Sequence, residues 1–167
     1  MQFLRDFFSR RLYVQLSPTL LTVHDPHTGV TVAEVPEIAL QSLPGTKRTV
    51  VSVGTQARAA AGQPHVQVHN PLAHPRSLVS DFTLAEQLLK AFVRRAVRGA
   101  AWLPSPEVVM HPLGEHAGGL TQVELRAMKE LALGFGARTA RIWQGPALTD
   151  EQLKSGQFPA TGTLLDA

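Results

Sequence analysis

The chain has no cysteine, which removes disulfides, thiolate metal ligands and a cysteine nucleophile from consideration; the absence suits a reducing compartment without choosing one. It has no run of about 18 apolar residues, so no segment reads as a membrane-spanning helix. The N-terminus lacks a signal-peptide core with a small-residue cleavage site, and export is not expected. There is no glycine-rich phosphate loop ending in Lys-Ser/Thr and no nucleophile elbow, so local motifs name no enzyme. What the 167 residues do contain is 44% hydrophobic content, enough for one core or for one domain carrying a small inserted lobe. The formal charge is +3 and the pI near 9.8. Arg94, Arg95 and Arg98 form the densest basic cluster, and it reads as a solvated helix face rather than a nucleic-acid contact.

Two other groups of residues read as structural. Gly134-Phe135-Gly136 follows a helix and leads into a strand, the reverse of a dinucleotide fingerprint, and is expected to be a helix end and tight turn. Seven histidines invite a metal hypothesis. His65 and His69 would stand roughly 13 Å apart in extended chain, and His24 and His27 flank a turn. Surface histidines are expected, with no metal and no cofactor.

The first eleven residues, MQFLRDFFSRR, have a pattern of their own. At about 100° per residue, Met1, Phe3, Leu4, Phe7 and Phe8 fall in an arc of roughly 160°, opposite Gln2, Arg5, Asp6, Ser9 and Arg10. Such a helix over residues 1–11 suits the interface of an anionic bilayer, or equally a fold-back onto the domain's own core.

Strand-like runs follow at Leu12 to Leu16, Leu20 to His24, and Val30 to Val32 continuing into Ile38 to Leu40, an antiparallel meander. Thr49 to Val53 is another strand, and a short helix is expected over Thr55 to Ala61. Asp81 opens a helix with Ala85, Leu88, Leu89, Phe92 and Ala96 at helical spacing. Val108-Val109-Met110 reads as a buried strand. Thr121-Gln122-Val123-Glu124 opens a second helix with Val123, Ala127, Met128 and Leu131 inward. Arg138 to Trp143 and Thr163 to Leu165 complete the strands, with a short helix from Thr149. The order predicts an α/β domain with a mixed sheet and helices against it.

Several of these segments carry a resemblance in collinear order: Val53-Gly54 with Ala57-Arg58 and Gly62, Ser80-Asp81-Phe82, Pro104-Ser105-Pro106, Thr121-Gln122-Val123-Glu124, Gly136-Ala137-Arg138 and Ala160-Thr161-Gly162. Together they resemble the first half of MreB, the bacterial rod-shape-determining actin homologue. The resemblance implies domain I of a ribonuclease-H-like actin fold: a mixed five-stranded sheet over residues 12–41 and 81–167, with a small subdomain inserted over residues 42–80. It also implies membrane binding by the N-terminal helix.

On the same resemblance, Gln15 stands where an aspartate acts near the nucleotide's metal, Ser17 where a glycine lets backbone N–H groups approach phosphate, and Pro18 where a threonine lies. Gln15 has no negative charge for hydrated Mg²⁺, Ser17 restricts the turn, and Pro18 lacks an N–H donor. Gly145 takes the place of the hydrolytic glutamate, and the second phosphate hairpin would begin at Asp166, with a nucleotide-covering second domain beyond the last residue, Ala167. The expectation is a degenerate site without ATPase activity, in a structural or interaction protein linked to cell shape, cytoplasmic and peripheral on the inner membrane face. Its expected partners are MreB filaments or cell-wall machinery, an anionic membrane surface or further copies of itself. The alternatives are an ATP site completed by a partner chain, and a relic or truncated paralogue.

Overall fold

A computed structural model describes residues 10–97, 105–114 and 118–165. In chain order the elements are β1 (Arg11–Leu16), β2 (Leu21–His24), β3 (Thr31–Glu34), β4 (Ile38–Gln41), β5 (Thr49–Val53), α1 (Thr55–Ala59), β6 (Val66–His69), α2 (Phe82–Ala96), β7 (Glu107–Pro112), α3 (Gln122–Gly134), β8 (Thr139–Gln144), α4 (Asp150–Ser155) and β9 (Thr163–Leu165). The main sheet runs β3-β2-β1-β7-β8-β9 and a second sheet runs β5-β4-β6.

The central strand β1 pairs antiparallel with β2 and parallel with β7, and β7 pairs parallel with β8. A parallel neighbour requires a crossover, and α3 supplies it between β7 and β8. The period of two along β1 sends Leu12, Val14 and Leu16 to one face and Arg11, Tyr13 and Gln15 to the other. The first face meets α2, through Ala85, Leu88, Leu89 and Phe92, and α3, through Leu125, Met128 and Leu131. On the second face Tyr13, Val109 and Trp143 pack with Leu148 and Leu153. Both helices start where the sequence places them. The Asp81 carboxylate accepts the Leu84 N–H at 3.0 Å, and the Thr121 hydroxyl accepts the Glu124 N–H at 3.2 Å while the Glu124 carboxylate accepts the Thr121 N–H at 2.9 Å.

Strand β4 joins two layers. Its backbone pairs with β5 and β6, yet Ile38 and Leu40 point into the main core while Ala39 faces Ala57 and Ala60. Carboxylates at the end of β3 and on the β3–β4 connection fix the seat of this small lobe. Glu34 accepts the Thr55 N–H at 2.8 Å and pairs with Arg95 of α2, and Glu37 pairs with Arg58 at 2.5 Å. The hydrogen bond from Arg95 holds the Glu34 carboxyl below its ordinary range.

Five expectations need correction. The main sheet has six strands, not five, because β9 adds antiparallel to β8. Val30–Val32 does not run on into Ile38–Leu40. β3 ends at Glu34, Pro36 lacks an N–H for a continuing ladder, and β4 enters the second sheet, so that sheet begins at Ile38 rather than after residue 41. Val123 is 78% exposed rather than inward, because Leu125 and Met128 take the buried side of α3. Arg11 opens β1 instead of closing a helix, and residues 1–9 of that helix lie outside the described residues. His111 is buried in β7, against the expectation of surface histidines.

Phe92→Ala is expected to lower unfolding free energy by about 3–5 kcal/mol in denaturant titration, because the ring is fully buried between sheet and helices. Val123→Ala is expected to stay within about 0.5 kcal/mol.

Candidate functional site

The turn between β1 and β2 is closed upon itself. Ser17 Oγ accepts the Leu20 N–H at 2.9 Å and the Thr19 N–H at 3.3 Å, and the Ser17 N–H donates to the Leu20 carbonyl at 3.0 Å. Pro18 has no N–H, and its carbonyl accepts from Asn70 Nδ2 of the small lobe at 2.8 Å. Each backbone N–H from Ser17 to Leu20 is therefore either lacking or already donated within the turn, by the same side-chain-to-backbone chemistry that makes serine a turn residue. An anion approaching this turn would have to displace the serine hydroxyl before finding a donor. Beside the turn lies a cavity of about 590 Å³ whose lining includes Leu16, Ser17, Pro18, Leu72, Arg76 and Leu113.

The β1–β7 register sets Gln15 opposite His111. Between them, Tyr13 Oη lies 2.5 Å from His111 Nδ1, takes the Gln15 Nε2–H at 3.4 Å and takes the Leu148 N–H at 3.3 Å. The two rings also stack, with centroids 5.8 Å apart. Burial pushes the His111 ring below its ordinary pKa, and its hydrogen bond to the Gly145 backbone opposes that push. Burial likewise raises the Tyr13 hydroxyl. The network is neutral and internally satisfied. Where an anionic site would place a carboxylate for a metal, it places an amide, a phenol and an imidazole.

Gly145 closes the far side, next to a cavity of about 200 Å³ lined in part by His111, Gln144 and Gly145. A Cβ at this position would lie 2.7 Å from Trp143 Cζ2 and 2.8 Å from Gly162 Cα, and a Cβ at Gly162 would lie 2.3 Å from Trp143 Cζ2. The Trp143 indole is thus wedged against two glycines that the β8–β9 pairing brings together. Its N–H donates to the Pro146 carbonyl at 2.8 Å, and Phe158 stacks on it at 5.6 Å. The space a side chain at residue 145 would need is occupied.

Of the residues singled out in the sequence, Gln15 and Gly145 meet through His111, while Ser17 and Pro18 face the larger cavity. Met1, Phe3, Leu4, Phe7 and Phe8 lie outside the described residues. No spacing along the chain assigns Tyr13, Asn70, His111 or Trp143 to this site. The polar residues inside two buried strands, Tyr-Val-Gln in β1 and Met-His in β7, were the available signal. Among the described residues no three His, Asp or Glu side chains converge to hold a metal ion.

Two outcomes follow from this geometry. His111 binds its proton more weakly in the folded chain than in the unfolded one. The unfolded state therefore holds more protons just below the ordinary histidine pKa, and stability falls as pH drops below about 6.5. Thermal unfolding between about pH 7 and pH 5 is expected to show this fall, and His111→Gln is expected to flatten it. Separately, Gly145→Ala is expected to cost about 1–3 kcal/mol by overpacking, and less when Trp143→Leu has already removed the indole, a coupling that a double-mutant cycle measures.

The MreB/Mbl protein family matches residues 9–149. The cell shape-determining protein MreB of Haemophilus influenzae is 28% identical over 163 residues, which make up 97% of this chain and 45% of that protein. MreB of Escherichia coli K12 is 28% identical over 144 residues, 85% of this chain and 40% of its own length. The chain thus spans less than half the length of these curated relatives. Among solved structures, MreB5 of Spiroplasma citri bound to ADP superposes with a TM-score of 0.63 at 19% identity, covering 80% of this chain and 37% of that one. A MamK double helical filament superposes with a TM-score of 0.56 at 17% identity, covering 79% and 40%. The six-stranded mixed sheet with its flanking helices is accordingly an actin-like α/β fold, and this chain belongs to the MreB/Mbl family.

Proposed function

We propose that this chain is a non-hydrolysing MreB/Mbl-family protein, a structural or interaction partner of the bacterial shape cytoskeleton rather than an ATPase. The observation that carries this reading is the closed β1–β2 turn: Pro18 brings no N–H, and Ser17 Oγ holds those of Thr19 and Leu20. Phosphoryl transfer depends on charge stabilisation and water positioning, and this chain has Gln15 and Gly145 where those groups would stand. The uncharged Tyr13–His111 network and the wedged indole of Trp143 support the same reading, since both fill the site with internal contacts.

The protein acts in the cytoplasm, peripheral on the inner face of the membrane, with the apolar arc of Met1, Phe3, Leu4, Phe7 and Phe8 as its lipid contact. Among the described residues no helix is long and apolar enough to cross a membrane. Its partners are filaments of full-length relatives, cell-wall machinery or further copies of itself; that MamK, which shares the fold, forms a double helical filament supports assembly. The cavity of about 590 Å³ beside the turn supports a second reading, a nucleotide held jointly with a partner chain.

The test is calorimetry and turnover with magnesium and ATP. A ligand at one hundred times its Kd would add about 2.7 kcal/mol of stability and raise the thermal midpoint; millimolar Mg-ATP is expected to leave that midpoint unmoved, with no phosphate release above background. Metal-dependent hydrolysis that disappears when the Leu16-to-Thr19 turn is altered contradicts the proposal. A nucleotide-dependent shift seen only with an MreB partner favours the joint site.

A further inference from the structure

Charge is not spread evenly along this chain. Residues 38–80, which hold the whole second sheet and its return connection, contain Lys47, Arg48, Arg58 and Arg76 and not one Asp or Glu. The remainder of the chain, with twelve Lys or Arg and thirteen Asp or Glu, sums to −1, so the small lobe carries more than the entire net charge of +3. Of the four cations, Arg58 is spent on Glu37, whereas Lys47 and Arg48 have no ion-pair partner among the described residues.

These two cations sit at the lobe's tip, in an unbroken exposed stretch from Leu43 to Val51. Leu43 is 45% exposed, Val50 42% and Val51 47%. The stretch forms the β4–β5 hairpin end: the Thr46 N–H and hydroxyl both close onto the Leu43 carbonyl, at 3.1 and 2.9 Å, so Leu43 and the cations are held on one short loop. The β5 edge is a poor template for another strand. A register shift breaks its ladder with β4 between Ala39 and Leu40, and such irregularities, with flanking cations, protect edges from pairing. An exposed leucine on a loop with unpaired cations and no acid, next to two exposed valines at the start of β5, instead matches an anionic bilayer surface, where apolar insertion and charge attraction add. Nucleic acid fits less well, because residues 38–80 contain no Phe, Tyr or Trp on which a base would stack.

We propose that the tip of the small lobe, Leu43 with Lys47, Arg48, Val50 and Val51, is a contact site for anionic lipid headgroups. It adds a lipid contact separate from the N-terminal arc and stands whether or not that arc binds lipid. The chain's lack of cysteine makes the test direct. In the otherwise full-length protein, Leu43→Cys carrying an environment-sensitive dye is expected to blue-shift and become shielded from an aqueous quencher on phosphatidylglycerol vesicles, but not on pure phosphatidylcholine. Lys47→Ala with Arg48→Ala is expected to weaken partitioning about thirty-fold, from about one charge contribution each, with the thermal midpoint retained. The effect should shrink with added salt.

Phe7→Ser with Phe8→Ser separates the two contacts. If it abolishes sedimentation while the dye at residue 43 never shifted in the parent, the N-terminal contact holds and the lobe proposal is overturned. An equal dye shift on a soluble acidic polypeptide, or on duplex DNA, with none on vesicles also overturns it.

Discussion

Strand β1 lies between β2 and β7 with side chains packed on both faces, and the arrangement of the remaining elements follows from that constraint. Leu12, Val14 and Leu16 are buried under α2 and α3, so the helices must cover one face of the sheet. Arg11 and Tyr13 are buried on the other, so α4 and the segment around Leu148 must cover that face too. Arg11 could not be left there uncompensated. Its Nε donates to Glu107 at 2.9 Å and its Nη1 reaches the carbonyls of Leu153 and Lys154 at 3.1 and 2.9 Å, tying the start of β1 to β7 and to the end of α4. Burial of a charge costs several kcal/mol unless it is paired and hydrogen-bonded, and here both conditions are met.

The same strand delivers the site. Its last residues turn at Ser17, beside the cavity, and the inward polar side chain before that turn, Gln15, meets His111 across the parallel register. A phosphate site needs donors pointing outward and a charge to neutralise. This chain has turned both inward: the amide donors serve a serine hydroxyl, and the polar groups of β1 and β7 satisfy one another through a tyrosine. Such a network is satisfied within the domain, without a ligand. The acid-free lobe and the packed indole of Trp143 fit that division, with a neutral interior beside the turn and charge displayed elsewhere.

Much of the architecture was legible because its signals are local. Asp81 and Thr121 cap their helices through side chains three residues from their partners, and the apolar spacing of α2 runs from Ala85 to Ala96 as read. The break between β3 and β4 was also written locally, in Pro36, but the β-branched run on either side outweighed it. Val123 sits in the first turn of α3, where the apolar face is shared by few residues and periodicity decides little. The features that remained hidden depend on long-range pairing. His111 becomes buried only because β7 is enclosed by β1 and β8. Gly145 and Gly162 come to share one indole only because β9 returns antiparallel beside β8. Spacing along the chain tests for metal ligands or helix faces, but not for which strand will neighbour which.

The most direct measurement is of the turn's own amides. With the full-length protein labelled with nitrogen-15, the Thr19 and Leu20 amide resonances should be unmoved by millimolar Mg-ATP, because Ser17 Oγ already holds both protons. Shifts confined to those two amides, saturating with nucleotide and strengthened by Ser17→Gly, would show that the turn still opens to phosphate and would contradict the account.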